Sequence, residues 1–502
     1  MKISFALRAA AGLLLLATGI FLVRRDPPPP TVETFRSPGC VLSVRTFEPS
    51  SQPARGAVFL LHGLAANSRL MDYDSRGFLS LGLRVIAPDL PGHGHSPAPF
   101  SPAHAESCAQ ALLQEKIRTG AIDPGHSILA GHSLGGAIAL RLASTHHVAG
   151  VLALSPAPLF QAPGVEQEIL FFPVLSQPPP HSLFLSAQFD PIALRNSAAA
   201  LAAAHSSPPA DLLVVPASTH ASLIFDASAL RLSLDWTARL LSLPLPPALP
   251  SAPAILGSNL GLLGLLLLAG ILLKLALRSF LSDPLAPALP PLSYSRFYLS
   301  IALASSLAVL LLTFGVPLRF LNIFTADYLA SFSLLTAILF FAANPSSARA
   351  LFRFPTRPFA LALTLGLATT FLFFLWFRFS FTTTWLDLPR LCRLLPLSLA
   401  LFPFLALEES LLHSARRRSY ALRLAESLAV RLLAWLALAF AVYHLHSAQV
   451  LLVLMAPFFV FFSIFQRLAI DLFRRQSSSP AAAAFFGAIL AAGFLVLILP
   501  LT

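Results

Sequence analysis

The stretch Ser127-Ile-Leu-Ala-Gly-His-Ser-Leu-Gly-Gly136 decides how this chain folds. It starts as a short apolar run, passes through Gly131-x-Ser133-x-Gly135 and opens into a helical stretch, Ala137 to Thr145. A serine between strand and helix, with small residues two positions either side, is what a very tight turn requires. Such a turn exposes the hydroxyl and sets a helix N-terminus beneath any anion formed there. A bare Gly-x-Ser-x-Gly arises often by chance. The preceding strand, the second glycine Gly136 and the following helix make this one specific.

Further apolar runs flank it: Ala57–Leu61, Arg84–Ala87, Val151–Leu154, Ser182–Ser186 and Leu212–Val215. Each is short, continuous and separated from the next by a helical stretch. That pattern predicts an α/β domain whose mostly parallel sheet carries helices on both faces.

Three motifs then fall in order: Ala57-Val-Phe-Leu-Leu-His-Gly63, Asp89-Leu-Pro-Gly-His-Gly-His-Ser96 and Gly131-His-Ser-Leu-Gly-Gly136. Together they resemble the α/β-hydrolase family, over about residues 39–243. The resemblance implies that Ser133 is a nucleophile set in an elbow of Gly131, His132, Gly135 and Gly136. It implies oxyanion donors at the backbone N–H groups of Leu64 and Leu134. The family order is Ser, acid, His. Asp190, at the end of a strand and before Pro191, resembles the acid, with Asp226 and Asp211 as weaker rivals. His220 follows the last strand and resembles the catalytic histidine. His62, His93, His95 and His132 compete with it, but only His220 has that position. His146 and His147 end a helix and read as surface residues compatible with its dipole. Between Val151–Leu154 and Ser182 the family often inserts a helical cap. Only Pro156 to His181 is available here, so an open site or a short apolar flap around Ile169–Leu175 is expected.

The composition divides the chain. Charged residues are 11% and apolar residues 56% overall, against roughly 25% and 45–50% in soluble domains. The excess of Leu, Phe and Ala lies beyond Ala254. Eight candidate membrane spans follow: Ala254–Leu273, Phe297–Leu318, Phe324–Ala343, Pro358–Phe377, Leu391–Leu407, Ser427–Leu445, Val450–Phe465 and Ala481–Leu499. Leu391–Leu407 is the weakest, being short and holding Pro396 and Pro403. A ninth apolar run, Ala9 to Val23, follows a basic start and lacks a small-x-small cleavage site, which reads as an uncleaved signal anchor. The expected organisation is an anchor over 1–25, a Pro-rich spacer over 26–38 and the hydrolase-like domain over 39–243. A second Pro-rich linker over 244–253 then leads to an all-α multi-pass membrane domain over 254–502.

The net charge of +12 is carried almost wholly by arginine. Its placement in short loops between apolar runs excludes nucleic-acid binding as the reason. Lys274, Arg278 and Arg296, then Arg349, Arg353 and Arg357, then Arg416, Arg417, Arg418 and Arg423, then Arg467, Arg474 and Arg475 make every second loop basic. The positive-inside rule then puts the hydrolase-like domain on the extracytoplasmic face of the cell membrane. Arg24, Arg25, Arg319, Arg378 and Arg390 run against this assignment.

Cys40, Cys108 and Cys392 show no metal-ligand spacing and no disulfide framework, so no metal is expected. Cys40 and Cys108 are expected as unpaired thiols, with pairing open if the domain faces an oxidising compartment. In the membrane half, Glu408-Glu409 and Phe440-x-x-x-His444 resemble two fragments of the CAAX-type intramembrane protease pattern. The family's arginine four residues after the second glutamate is His413 here, and no later histidine completes the site. Glu408 and Glu409 are therefore expected as interfacial charges. Asp327 and Arg431 fall inside spans near their ends, where charged side chains can snorkel.

The leading expectation is a membrane-anchored serine ester hydrolase, free of cofactors, acting on an amphiphilic or lipid-like ester through an acyl-enzyme. The alternatives are an acyltransferase using the same intermediate, and a transporter or scaffold with an accessory hydrolase fold.

Overall fold

A computed structural model describes the chain except residues 1, 25–28, 51–52, 163–164, 166–169, 205–208, 247, 281–292, 316–318, 352–355, 414–418, 446–448, 476 and 478. The expected features at Arg25, Ile169, Arg353 and Arg416–Arg418 lie outside the described residues.

The chain opens with α1 (Lys2–Arg24) and then builds an α/β layer. Its elements are β1 (Thr31–Ser37), β2 (Cys40–Phe47), β3 (Ala57–Leu61), α2 (Asp72–Ser80), β4 (Arg84–Pro88), α3 (Pro102–Arg118) and β5 (Ser127–His132). They continue through α4 (Leu134–Thr145), β6 (Gly150–Leu154), β7 (Ser182–Ala187), α5 (Ile192–Ala203), β8 (Asp211–Val215) and α6 (Ala227–Leu240). Ten helices follow: α7 (Pro253–Phe280), α8 (Tyr294–Phe314), α9 (Ala326–Ala343), α10 (Pro345–Leu351), α11 (Thr356–Ser380), α12 (Leu388–His413), α13 (Tyr420–His444), α14 (Val450–Leu454), α15 (Ala456–Arg474) and α16 (Pro480–Ile498).

Contacts divide the molecule into two units. One comprises Val23–Ile255, Arg378–Trp385 and Ile498–Thr502; the other holds Met1–Leu22, Leu256–Phe377 and Leu386–Leu497.

The first unit is an eight-stranded sheet in the order β1-β2-β4-β3-β5-β6-β7-β8. The six strands from β4 to β8 run parallel, and β2 joins β4 antiparallel. All six strands expected from the sequence form. β3, β5, β6 and β7 are buried along their whole length, which is why they read as continuous apolar runs. The antiparallel pair β1–β2 was not expected, and β1 occupies Thr31–Ser37, within the stretch read as a spacer. β1 is largely exposed and carries Thr, Glu and Arg, so it shows no apolar run to find. The chain leaves β3 for β4 on one side and returns to β5 on the other. In open α/β sheets, that reversal opens a crevice at the carboxyl ends of the strands.

Cys40 and Cys108 form a disulfide between β2 and α3, with Cα atoms 5.5 Å apart. This corrects the expectation of two free thiols. Sequence could not place residues 68 positions apart side by side. His104 lies close enough to both sulfurs for a three-ligand metal group, but the disulfide has consumed both thiolates.

In the second unit, nine helices among the described residues, α1 included, are long and apolar enough to cross a membrane. This is the pattern of a multi-pass membrane protein. Glycines let α1 and α7 approach closely: a Cβ on Gly19 would lie 2.6 Å from the Gly261 Cα. Two spans differ from expectation. The run Val450–Phe465 divides into α14 and α15, because Pro457 sits in the first turn of α15 and cannot continue a helix from before it. α15 then extends to Arg474 through Gln466, Arg467 and Asp471. α12 is a full 26-residue helix despite Pro396 and Pro403.

Both extensions carry charged residues that pair across the bundle. Glu408 and Glu409 are 1% exposed, not interfacial. Arg431 Nε donates to Glu408 at 2.9 Å, and Arg467 Nη1 donates to Glu408 at 3.2 Å and also to Glu409. Arg467 Nη2 donates to Asp471 at 2.7 Å, and Arg423 Nε reaches the same carboxylate at 3.0 Å. Arg431 therefore pairs inside the bundle instead of snorkelling. Asp327 caps the turn before α9, accepting the N–H groups of Phe320 and Leu321 at 3.1 and 2.7 Å.

Candidate active site

Four of the carboxyl ends of the parallel strands carry the residues singled out from the sequence. β5 leads into Ser133, whose backbone is held at φ 53° and ψ −117°. A non-glycine residue held there stores about 1–3 kcal/mol of strain. The local chain enforces it. Ser133 N–H donates to Leu154 O at 2.9 Å, and Ser133 O accepts from Ala137 and Ala157 N–H at 3.0 and 2.9 Å. A Cβ on Gly131 would lie 2.4 Å from the Gly135 carbonyl, and one on Gly135 would lie 2.3 Å from Leu61 O. The strand and helix can therefore close on each other only with glycine at both places. Ser133 stays partly accessible in a region otherwise buried.

β8 leads to His220, and β7 to Asp190. His220 Nε2 lies 2.9 Å from Ser133 Oγ, and His220 Nδ1 lies 2.8 Å from Asp190 Oδ1. Asp190 Oδ2 accepts the Ser155 hydroxyl and, at 3.1 Å, the Ala187 N–H. Burial works to raise the Asp190 carboxyl. The His220 hydrogen bond and charge, with Ser155 and Ala187, outweigh it and hold the group below its ordinary range. An ionised Asp190 accepts from Nδ1–H, which leaves Nε2 free to accept the serine proton.

The rivals have other work. Asp226 caps α6, accepting the N–H groups of Ser228 and Ala229 at 2.7 and 3.1 Å. Asp211 is exposed at the start of β8. His132 is buried, and its Nε2 donates to His220 O at 2.9 Å, fixing the backbone of the histidine loop. Burial, with the His220 charge second, pushes the His132 imidazole down to about 3. It is therefore neutral near pH 7. His62 donates from Nδ1 to Gly63 O at 2.8 Å and accepts Leu90 N–H at 2.9 Å. His93 donates from Nδ1 to Pro91 O at 2.9 Å and accepts Ala65 N–H at 3.2 Å. His95 is exposed.

Leu64 lies in the turn after β3, and Leu134 is the first residue of α4, so its N–H has no partner within the helix. Gly63 runs close beneath: a Cβ there would lie 2.8 Å from His132 Nδ1 and 3.1 Å from Ser133 Cβ.

Sequence reasoning missed Ser155. Ser155 follows β6 in the left-handed region, at φ 41°. The Ser155-Pro156 step was its only trace. The stretch between Pro156 and His181 holds no helix among its described residues. Phe172 is buried beneath Arg141, whereas Val174 is 50% exposed. Phe189 and Ile192, flanking Asp190, are 64% and 56% exposed.

This fold and crevice define a class. Residues 56–171 match the model of the alpha/beta hydrolase fold family, and the domain has that fold. Among particular proteins, the chain is 34% identical over 120 residues to lipase LipV of Mycobacterium tuberculosis, covering 23% of this chain and 42% of that one. It is 32% identical over 107 residues to the AB hydrolase superfamily protein YisY of Bacillus subtilis, covering 20% and 39%. The chain spans less than half the length of these curated relatives. A soluble variant of monoglyceride lipase from Saccharomyces cerevisiae aligns at 12% identity and a TM-score of 0.35, over 43% of this chain and 97% of that one.

Proposed function

We propose that the protein is a membrane-embedded serine ester hydrolase working through an acyl-enzyme on Ser133. The observation that carries this reading is the chain Asp190–His220–Ser133, at 2.8 and 2.9 Å, at the crevice end of the sheet. His220 Nε2 takes the Ser133 proton as Oγ attacks the ester carbonyl. The oxyanion draws on the N–H groups of Leu64 and Leu134, each worth about 2.7–4 kcal/mol in such sites. The imidazolium, stabilised by Asp190, returns its proton to the leaving alcohol. Water then repeats the sequence on the acyl-enzyme, releasing the acid and restoring Ser133. None of these steps calls on a cofactor.

Two exposed side chains, Phe189 and Ile192, flank the acid and offer an apolar surface beside the crevice, which favours an amphiphilic ester. The Cys40–Cys108 disulfide favours an oxidising, extracytoplasmic compartment for this domain. Segment parity agrees with eight crossings after the domain. Four spanning helices precede Arg378–Trp385 and four more precede Ile498–Thr502, and both segments pack with the hydrolase unit.

The test is the full-length protein in detergent, with p-nitrophenyl butyrate and a fluorophosphonate probe. Wild type is expected to turn over the ester and take the label. Ser133→Ala is expected to lose both with its thermal unfolding unchanged. Turnover retained by Ser133→Ala would overturn the reading. A reporter active only outside the cytoplasm, fused after Thr502, is expected to be active; a silent one would reverse the topology.

A further inference from the structure

The turn that carries Leu64 is held by side chains distant in sequence. Asn67, 5% exposed, accepts at Oδ1 the N–H groups of Arg69 and Thr383, at 3.1 and 3.2 Å. Its Nδ2 donates to Thr382 Oγ1 at 3.1 Å. Asp89, fully buried, accepts Ser68 N–H at Oδ1, at 2.8 Å. Its Oδ2 accepts His95 N–H at 3.0 Å and the Thr383 hydroxyl at 2.7 Å. Arg69 donates to the carbonyls of Arg378 and Phe379 at 3.0 and 2.6 Å. Gly94 admits this arrangement, because a Cβ there would lie 2.1 Å from Asp89 Oδ2 and 2.4 Å from Thr383 Oγ1.

Thr383 is therefore the point where both polar anchors of the turn are satisfied together. Its N–H serves Asn67 and its hydroxyl serves Asp89. Asn67 and Ser68 follow Leu64 by three and four residues, and Ala65 N–H is tied to His93 on the same side. A buried carboxylate and a buried amide that lose partners pull on whatever else they hold. Here that is the oxyanion turn.

We propose that Arg378–Trp385 is a positioning segment of the active site and that Thr383 is its central residue, setting the Leu64 N–H for the transition state. The inference rests on the Ser133 hydrolase reading. Thr383 touches neither substrate nor Ser133; it acts through Asn67 and Asp89. A donor misplaced by about 1 Å costs on the order of 100-fold in rate, because the oxyanion forms only after attack. The effect belongs in kcat and not in KM.

The experiment uses the full-length protein in detergent with p-nitrophenyl butyrate. Thr383→Val is expected to lower kcat by about 10- to 100-fold with KM within about twofold. Thr383→Ser keeps the hydroxyl and is expected within about threefold of wild type. Should Thr383→Val fail to fold, Arg69→Met loosens the same segment from the opposite side. It is expected to show the same kcat-selective loss. Unchanged kcat in Thr383→Val, or a Thr383→Ser loss as large, would overturn the proposal, as would an Arg69→Met effect confined to KM. Ser133→Ala separates the two readings. If it keeps turnover, the hydrolase assignment fails; if it is inactive while Thr383→Val is fully active, only the positioning role fails.

Discussion

The triad and the Glu408–Glu409 network are both buried clusters of charged side chains, and they differ in how they end. In the network, three acids, Glu408, Glu409 and Asp471, meet Arg431, Arg467 and Arg423, and Ser427 donates to Glu408. Its charges pair with one another inside the bundle; Arg431 also reaches Gln466 at 2.7 Å, and Glu409 Oε2, without a hydrogen bond, lies 3.9 Å from Arg474 Nε. In the triad, Asp190 is equally well supplied, but the chain runs outward through His220 to a partly accessible hydroxyl. A closed cluster joins helices at a site where each charge needs a partner. An open one holds a proton acceptor against a nucleophile. Burial of charge alone thus distinguishes neither a structural site nor a catalytic one; the direction in which the chain of hydrogen bonds ends does.

The contrast can be broken by single substitutions. Asp190→Asn is expected to cost on the order of 10⁴ in kcat, because it favours the wrong His220 tautomer, while thermal unfolding stays near wild type. Ester turnover and melting, measured together, decide it. Arg467→Met should do the opposite. It leaves Glu408, Glu409 and Asp471 short of a cation and is expected to cost about 3–5 kcal/mol. Detergent unfolding should drop sharply, while kcat well below the transition changes little. An Arg467→Met variant as stable as wild type would make the network dispensable.

Gly63→Ala sharpens the comparison from the catalytic side. The added methyl meets His132 Nδ1 at 2.8 Å and Ser133 Cβ at 3.1 Å, so the elbow must shift. A loss of about 10- to 100-fold in kcat is expected.

The smallest effect concerns a buried acid with neither kind of cluster around it. Asp74 is 3% exposed and its Oδ2 has no partner. Burial pushes the carboxyl up from 3.8 to about 8. Between those values the unfolded chain has released a proton that the native one keeps, so stability falls as pH rises through this window. Asp74→Asn lacks that penalty. Its melting temperature relative to wild type should climb between pH 5 and pH 8, and a constant difference would contradict the assignment.

Ser133, His220 and Asp190 were legible because each sits where an apolar strand stops, and a strand end leaves a mark within a few residues. β1 was not, since an exposed edge strand carries no apolar run and imitates a linker, and β2, though buried, mixes Ser, Arg and Thr into its run. Glu408 and Glu409 read as interfacial because their partners Arg431 and Arg467 lie on other helices. Cys40–Cys108 and Thr383–Asp89 share the same reason. Nothing local announces a partner 68 or 294 positions away.

The α/β unit also takes in Leu501, whose carbonyl accepts Phe100 N–H at 2.7 Å and whose N–H donates to Gly92 O at 3.3 Å. The consequence is one of timing during synthesis. At ~5–20 residues per second, the ribosome reaches Leu501 some tens of seconds after it has passed α6. The newborn α/β layer would wait, with its turn after β4 unpaired, while the remaining apolar helices are made. Mis-insertion of one helix ahead of Arg378 would leave both Arg378–Trp385 and Ile498–Thr502 on the wrong side, and mis-insertion of a later one would displace the second alone. Under the proposed Ser133 chemistry, ester turnover would then report that membrane insertion had been completed.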